Sequence, residues 1–325
     1  MKLWFLLFCL PTLAFSYVPT QEKDCQAVDL RNEILSQVRN QGPIAWCYAF
    51  SAADMLNEHY QISEKISAAD VALGYNKSNI GLFMRWLDAN LISRKDPDIK
   101  NEAHQTGFNK KALLEAMEDG WCPESVFPSE KWIKVSFTQS GNKKQEVDLK
   151  EAMKDISLLY EKRKSLTLEN LPYYYQFKNV DAQAFLKLLD SKFLAGFYFK
   201  LRDQVCSQDR IAFDRPSKVK MIFKSPKIFT HVSRQLTLGK VVGLDYDSRI
   251  LKDSSTRGFK ISQLHTSIIL GRRWNPEAKS CEYLIRNSWG EDCGKYDPRY
   301  ECQEGHIWLS ESRIYPTMTS LVYMP

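Results

Sequence analysis

The residues with the clearest chemical potential lie in Val38-Arg39-Asn40-Gln41-Gly42-Pro43-Ile44-Ala45-Trp46-Cys47-Tyr48-Ala49-Phe50. Cys47 falls at the start of a predicted helix. The unpaired N–H groups and the positive end of the helix dipole there stabilise a thiolate. An imidazole nearby would lower the thiol further and later return its proton to a leaving group. By itself, a cysteine at a helix start is more often a small core residue or half of a disulfide. A metal site is the other chemistry to weigh. Cys281, Cys293, Cys302 and His306 are 12, 9 and 4 positions apart, a spacing that fits no compact zinc finger. No metal and no cofactor is expected. His59 and His231 read as packing or surface residues, and His306 as part of a core strand.

The elements that must position Cys47 are legible in part. Ala49, Ala52, Ala53, Leu56 and Tyr60 recur at helical spacing and predict a helix over 47–60. A second helix is predicted over 109–119, with Ala112, Leu113, Ala116 and Met117 on one face and Gly120 and Pro123 beyond its end. Segment 17–40 is polar and loop-like around Val28-Asp29-Leu30. Residues 130–225 are rich in lysine, with amphipathic stretches at about 147–163 and 181–195 flanking Tyr173-Tyr174-Tyr175. They predict an inserted, mainly helical subdomain. From about 240 the pattern turns to strands: Val241–Leu244, Ser267–Leu270, Tyr283–Arg286 and His306–Leu309. A helical half followed by a β half predicts an α+β architecture.

Composition sets the outer limits. The 325 residues make one large domain or two small ones, and 44% hydrophobic with 26% charged residues exclude a disordered or collagen-like chain. The 45 Lys and Arg against 39 Asp and Glu leave a net charge of +6, with no basic run. A nucleic-acid partner is therefore not expected. Lys2, the apolar run Leu3–Leu10, Pro11 and the small residues Ala14 and Ser16 predict a signal peptide over 1–16, cut after Ser16 and too short to span a bilayer. The expected product, 17–325, is a secreted or periplasmic monomer without a stable membrane anchor. Of eight cysteines, Cys9 falls in that leader, so an odd number remains. One free thiol and three disulfides are expected in an oxidising compartment. Cys293 and Cys302, close in sequence, are the one pair suggested.

The stretch around Cys47 resembles the active-site region of papain-like cysteine peptidases, Gln-Gly-x-Cys-Gly-Ser-Cys-Trp-Ala-Phe. Gln41 and Cys47 keep the family's six-residue spacing, and Tyr48-Ala49-Phe50-Ser51 follows. Three further blocks resemble the family in the same order. Val28-Asp29-Leu30-Arg31 is similar to the start of its mature domain. Asn287-Ser288-Trp289-Gly290 is similar to its Asn-Ser-Trp-Gly block, and Gly305-His306-Ile307-Trp308-Leu309 to its last core strand. The resemblance implies a papain-like two-lobed fold, with a helical lobe and an antiparallel β lobe. It implies Cys47 as nucleophile and His265, at the head of His265-Thr266-Ser267-Ile268, as acid and base in a thiolate–imidazolium pair. It implies Asn287 as the group that orients the imidazole, Trp289 as a cover over that contact, and Gln41 with the Cys47 N–H as an oxyanion hole. Thr106 and Gly107 fall where the family's backbone pairs with a peptide or protein substrate.

The departures are as specific as the matches. Ile44 stands where the family has a cysteine, and the partner segment reads His104-Gln105-Thr106-Gly107 without one. Both ends of that disulfide are missing together, so packing of Pro43 and Ile44 must hold the loop. Trp46 is bulky beside the thiol and narrows the expected cleft. Cys47 and His265 are 218 residues apart, farther than usual for the family, and the 130–225 insertion absorbs the excess. Little chain separates the leader from the mature-like start, which leaves no room for a long inhibitory propeptide. The expected function is a secreted cysteine-type peptidase. The alternatives are a thiol transpeptidase or amidase on the same scaffold, and a catalytically silent binding protein.

Overall fold

In a computed structural model, residues 17–33, 37–78, 107–139 and 141–325 are described. The predicted leader and Thr106 lie outside them. Helix α1 (Cys47–His59) is buried from Cys47 to Asn57 on every face, so it is a central helix rather than an amphipathic surface one. Its alanines let α2 (Ala68–Lys77) and α3 (Asn109–Asp119) pack closely against it. The α2 helix has no single apolar stripe, which is why periodicity did not reveal it. Its start is capped by Ser67, whose hydroxyl accepts the Asp70 N–H at 2.9 Å. The α3 helix ends at Gly120, whose φ of +79° favours glycine.

The β half is an antiparallel sheet in the order β5-β11-β6-β7-β8-β10-β9, with β1 alongside β7. Its strands are β1 (Val28–Asp29), β5 (Lys220–Phe223), β6 (Val242–Asp247), β7 (Leu264–Asn275), β8 (Ser280–Arg286), β9 (Cys302–Gln303), β10 (His306–Ser310) and β11 (Met318–Tyr323). All six residues of β6 are buried, as expected of a strand covered on both faces. Helices α1 and α7 (Ile228–Thr237) both pack on β6 and β7. The α+β expectation holds.

Two charged clusters join the parts. Asp54 on α1 accepts the Arg39 guanidinium at 2.7 Å and the Arg286 guanidinium of β8 at 2.9 Å, with all three buried. This ties the helices to the sheet. The second cluster holds the 130–225 segment. That segment contains α4 (Leu149–Lys162), α5 (Ala182–Leu189) and α6 (Leu194–Cys206). It also contains a three-stranded sheet, ordered β3-β2-β4, from β2 (Lys131–Thr138), β3 (Gly141–Asp148) and β4 (Tyr173–Gln176). The sheet amends the mainly helical expectation. Its strands were illegible because β3 is exposed at all but one position, leaving no apolar alternation to read. Within β4, Tyr175 is buried and donates its hydroxyl to Asp155 at 2.8 Å, so the tyrosine cluster is packing.

Arg202 on α6 and Arg210 converge on buried Asp70 of α2, at 2.7 and 2.6 Å. The Cys122–Cys206 disulfide lies in the same region. The segment is therefore stapled to the helices through residues 202–210. A Cys122→Ser/Cys206→Ser double variant is expected to lose about 2–5 kcal/mol of stability, seen as a lower urea midpoint at unchanged slope. An unmoved midpoint would show that the ion pairs alone hold the staple. The other disulfides are Cys25–Cys281 and the suggested Cys293–Cys302, and Cys47 is the free cysteine among the described residues.

Candidate active site

His265 is the second residue of β7 and faces Tyr246 of β6 across the ladder. Its Nε2 lies 2.7 Å from Asn287 Oδ1. Asn287 follows the last residue of β8, and its oxygen also accepts the Ser288 N–H at 2.8 Å and the Ser267 hydroxyl at 3.1 Å. These donors fix the amide with its oxygen toward the ring. Nε2 must then carry the hydrogen, which leaves Nδ1 as the basic nitrogen of the neutral imidazole. The Trp289 ring sits 5.4 Å from the His265 ring and stacks on Tyr296 at 5.8 Å, screening the contact.

Cys47 opens α1 and is only 6% exposed. One turn on, Ser51 donates its hydroxyl to the Thr266 carbonyl at 3.0 Å. That bond presses the start of α1 against the residue that follows His265. The chain before Cys47 is anchored to the same region. Gln41 N–H donates to Ser288 O at 2.8 Å, Gly290 N–H donates to Arg39 O at 2.9 Å, and Asn40 bridges Trp289. The Gln41 side chain accepts the Ser288 hydroxyl and donates from Nε2 to Ile44 O at 2.6 Å. One of its two amide hydrogens is thereby left over. Ile44 and Trp46 are 2% and 1% exposed, so apolar packing holds this loop where a disulfide is absent, but Pro43, expected to share in it, is exposed. Gly305 closes the rear of the site. A Cβ there would lie 2.3 Å from Gly290 O, at a φ of +75°, so no other residue fits without moving the block that carries Trp289.

Burial pushes the Cys47 thiol up to about 11, against the backbone amides of Thr266, Tyr48 and Cys47 itself, and Asp245 adds to the rise. Burial pushes His265 down to about 4, against its bond to Asn287. Desolvation thus acts against the charged form of each group, and so against the expected thiolate–imidazolium pair.

The structure brings Gln41, Cys47, His265, Asn287 and Trp289 to the seam between α1, β7 and the end of β8. Gly107 is buried against the rings of Tyr48 and Tyr75, where a Cβ would come within 2.8 Å of both. Sequence reasoning passed over Ser267, Ser288, Tyr246, Tyr296 and Asp245. Ser267 was findable, because it is two residues from His265 on the same face of a strand. Tyr246 supports it through a hydroxyl contact of 2.9 Å.

No protein-family model matches the chain, and no curated protein matches it. Solved structures similar to the chain include three, each with a TM-score below 0.5. One is a structure of the mite allergens Blo t 1 and Der p 1, at 14% identity over 96% of this chain and 74% of the other, with a TM-score of 0.47. Another is the proform of the ragweed pollen cysteine protease Amb a 11, at 14% identity over 95% and 68%, with a TM-score of 0.44. A third is the bromelain protease of Ananas comosus in complex with the E64 inhibitor, at 12% identity over 92% and 98%, with a TM-score of 0.43.

Proposed function

We propose that the chain is a secreted or periplasmic cysteine-type peptidase. The observation that carries this reading is the His265–Asn287 hydrogen bond of 2.7 Å beneath Trp289, at the strand end against which Cys47 opens α1. In the proposed reaction, His265 Nδ1 takes the Cys47 proton as the sulfur attacks a peptide carbonyl. The tetrahedral oxyanion is met by the Cys47 N–H and the remaining Gln41 amide hydrogen. The C–N bond then breaks, the imidazolium protonates the departing amine, and a thioester remains on Cys47. Water, deprotonated by the same imidazole, hydrolyses the thioester and restores the thiol. Asn287 keeps the ring turned for both transfers. The backbone of Thr106 and Gly107 is assigned to pairing with the substrate chain on the sequence resemblance alone. Three disulfides fit an oxidising compartment, and no described helix is long and apolar enough to cross a membrane.

The observation that bears on the silent-binder reading is the burial of Cys47, which is only 6% exposed. Treatment with an epoxysuccinyl inhibitor at pH 6, read by peptide mapping, separates the two. A single adduct at Cys47, lost in Cys47→Ala and His265→Ala, is expected. A folded parent that takes up no adduct would overturn the peptidase reading.

A further inference from the structure

Lys252 stands next to the residues of the proposed reaction, which does not use it. It is the last residue of a short helical turn, Arg249–Lys252, that follows β6. The backbone there is pinned. The Asp297 N–H donates to Leu251 O at 2.9 Å, the Tyr300 hydroxyl to Ile250 O at 2.6 Å, and the Lys260 N–H to the Asp247 carboxylate at 2.8 Å. Leu251 is buried and Lys252 is exposed. The Lys252 ammonium lies 5.3 Å from the centre of the Trp289 ring, the same half-buried ring whose centre is 5.4 Å from that of His265. An indole face attracts a cation but does not neutralise it. The acids nearby already have partners. Asp247 is paired with Arg249 at 2.7 Å and Asp297 with Arg299 at 2.6 Å. Asp253 accepts the Ser255 N–H and hydroxyl and lies 3.7 Å from Arg299. Asp292 accepts the Gly294 N–H at 2.9 Å. No described salt bridge reaches Lys252. A second lysine, Lys295, donates to the Trp289 carbonyl at 2.5 Å, so both cations on this tryptophan are lysines.

In the proposed reaction His265 protonates the departing nitrogen, so the residue that begins the leaving peptide must lie against the imidazole. Trp289 is packed on that imidazole, and one extended residue advances a chain by about 3.5 Å. A side chain or chain end one or two residues beyond the cut thus comes within reach of the flexible four-carbon lysine stem. We propose that Lys252 is a specificity-determining residue that receives a carboxylate of the leaving peptide, from an acidic side chain or from the free carboxyl end. This rests on the peptidase reading above. The carboxylate brings the counter-charge and the hydrogen-bond acceptors that the indole lacks.

The test uses the full chain and peptides whose cut is mapped by mass spectrometry. Glu, Gln and Lys are compared at the first and second positions beyond the cut, and a free carboxyl end is compared with its amide. The parent is expected to cleave the carboxylate form with a kcat/KM about two- to fivefold above that of its neutral twin, the size of an exposed ion pair. Lys252→Gln is expected to lose that ratio, Lys252→Arg to keep it, and Lys252→Glu to reverse it in favour of Lys. A lysine that merely supports Trp289 would, when lost, slow all the peptides alike and leave the ratio where it was. A preference seen with Glu, or only at the chain end, supports the proposal and tells which carboxylate is read. Hydrolysis by the parent with no carboxylate preference, or a preference that survives in Lys252→Gln, would overturn the proposal and leave the peptidase reading standing. A second readout needs no turnover. The leaving-side dipeptides Ala-Glu and amidated Ala-Gln are titrated into the protein while the Trp289 indole N–H is followed by NMR. An Ala-Glu preference in the parent that Lys252→Gln loses, without hydrolysis of any peptide, would retain the carboxylate site and sink the peptidase reading. No hydrolysis and no such preference in binding would sink both.

Discussion

Replacing His265 with alanine is expected to lower kcat/KM for a peptide substrate by about 10⁴-fold, at the upper end of what a positioned acid–base group contributes. The upper end applies because one ring serves three transfers: removal of the thiol proton, protonation of the amine, and activation of water. The resting thiol is pushed up to about 11, so without the imidazole almost none of it is ionised at neutral pH. Asn287→Ala removes only the ring's orienter and is expected to have a smaller effect. Near-UV circular dichroism establishes that each variant keeps its tertiary packing. Hydrolysis by a folded His265→Ala protein within a few-fold of the parent would end the acid–base assignment.

Asp54→Ala is expected to cost about 3–5 kcal/mol, the range for stripping one partner from a buried ion cluster. Two guanidiniums, Arg39 and Arg286, would be left 2% and 4% exposed without their carboxylate. Arg39 would retain the Asn57 side chain and the Ile66 carbonyl as acceptors, with the Glu124 carboxylate at 3.5 Å as a more distant ion-pair partner. The loss is a large fraction of the stability of an ordinary domain, and it falls on the joint between α1 and β8 that fixes Cys47 relative to Asn287. The measurement is the urea midpoint at constant slope. The pH dependence has a definite sign. Burial alone would raise the Asp54 carboxyl, but Arg286 and Arg39 together outweigh it and hold it below the ordinary carboxylate range. The unfolded chain therefore takes up the proton first as pH falls. The contribution of Asp54 is complete above the ordinary carboxylate pKa and is lost as pH drops through the folded value. The parent and Asp54→Ala should accordingly converge in strongly acidic solution. Curves that stay parallel to low pH would show that the cluster does not carry its charge in the folded state.

Local pattern determined a good deal of this protein before any contact was known. The α1 and α3 helices, the cores of β6, β7, β8 and β10, and the positions Gln41, Cys47, His265, Asn287 and Trp289 follow from periodicity or from short motifs. Such signals depend on neighbours within a dozen positions, and a central buried helix or a half-buried strand writes them directly into the chain. The α2 helix escaped because burial on every side erases a stripe. Strand β3 escaped because exposure on both sides erases alternation. Partnership at long range was decided only by folding. The union of Arg39, Asp54 and Arg286 joins residues far apart in sequence, and Asp70 meets Arg202 and Arg210 through the same kind of long-range pairing. The charge state of the site belongs to the same category. A cysteine at a helix start predicts a lowered thiol, because the dipole and the free N–H groups are local. Desolvation depends on what the sheet packs against, and here burial pushes the Cys47 thiol up instead.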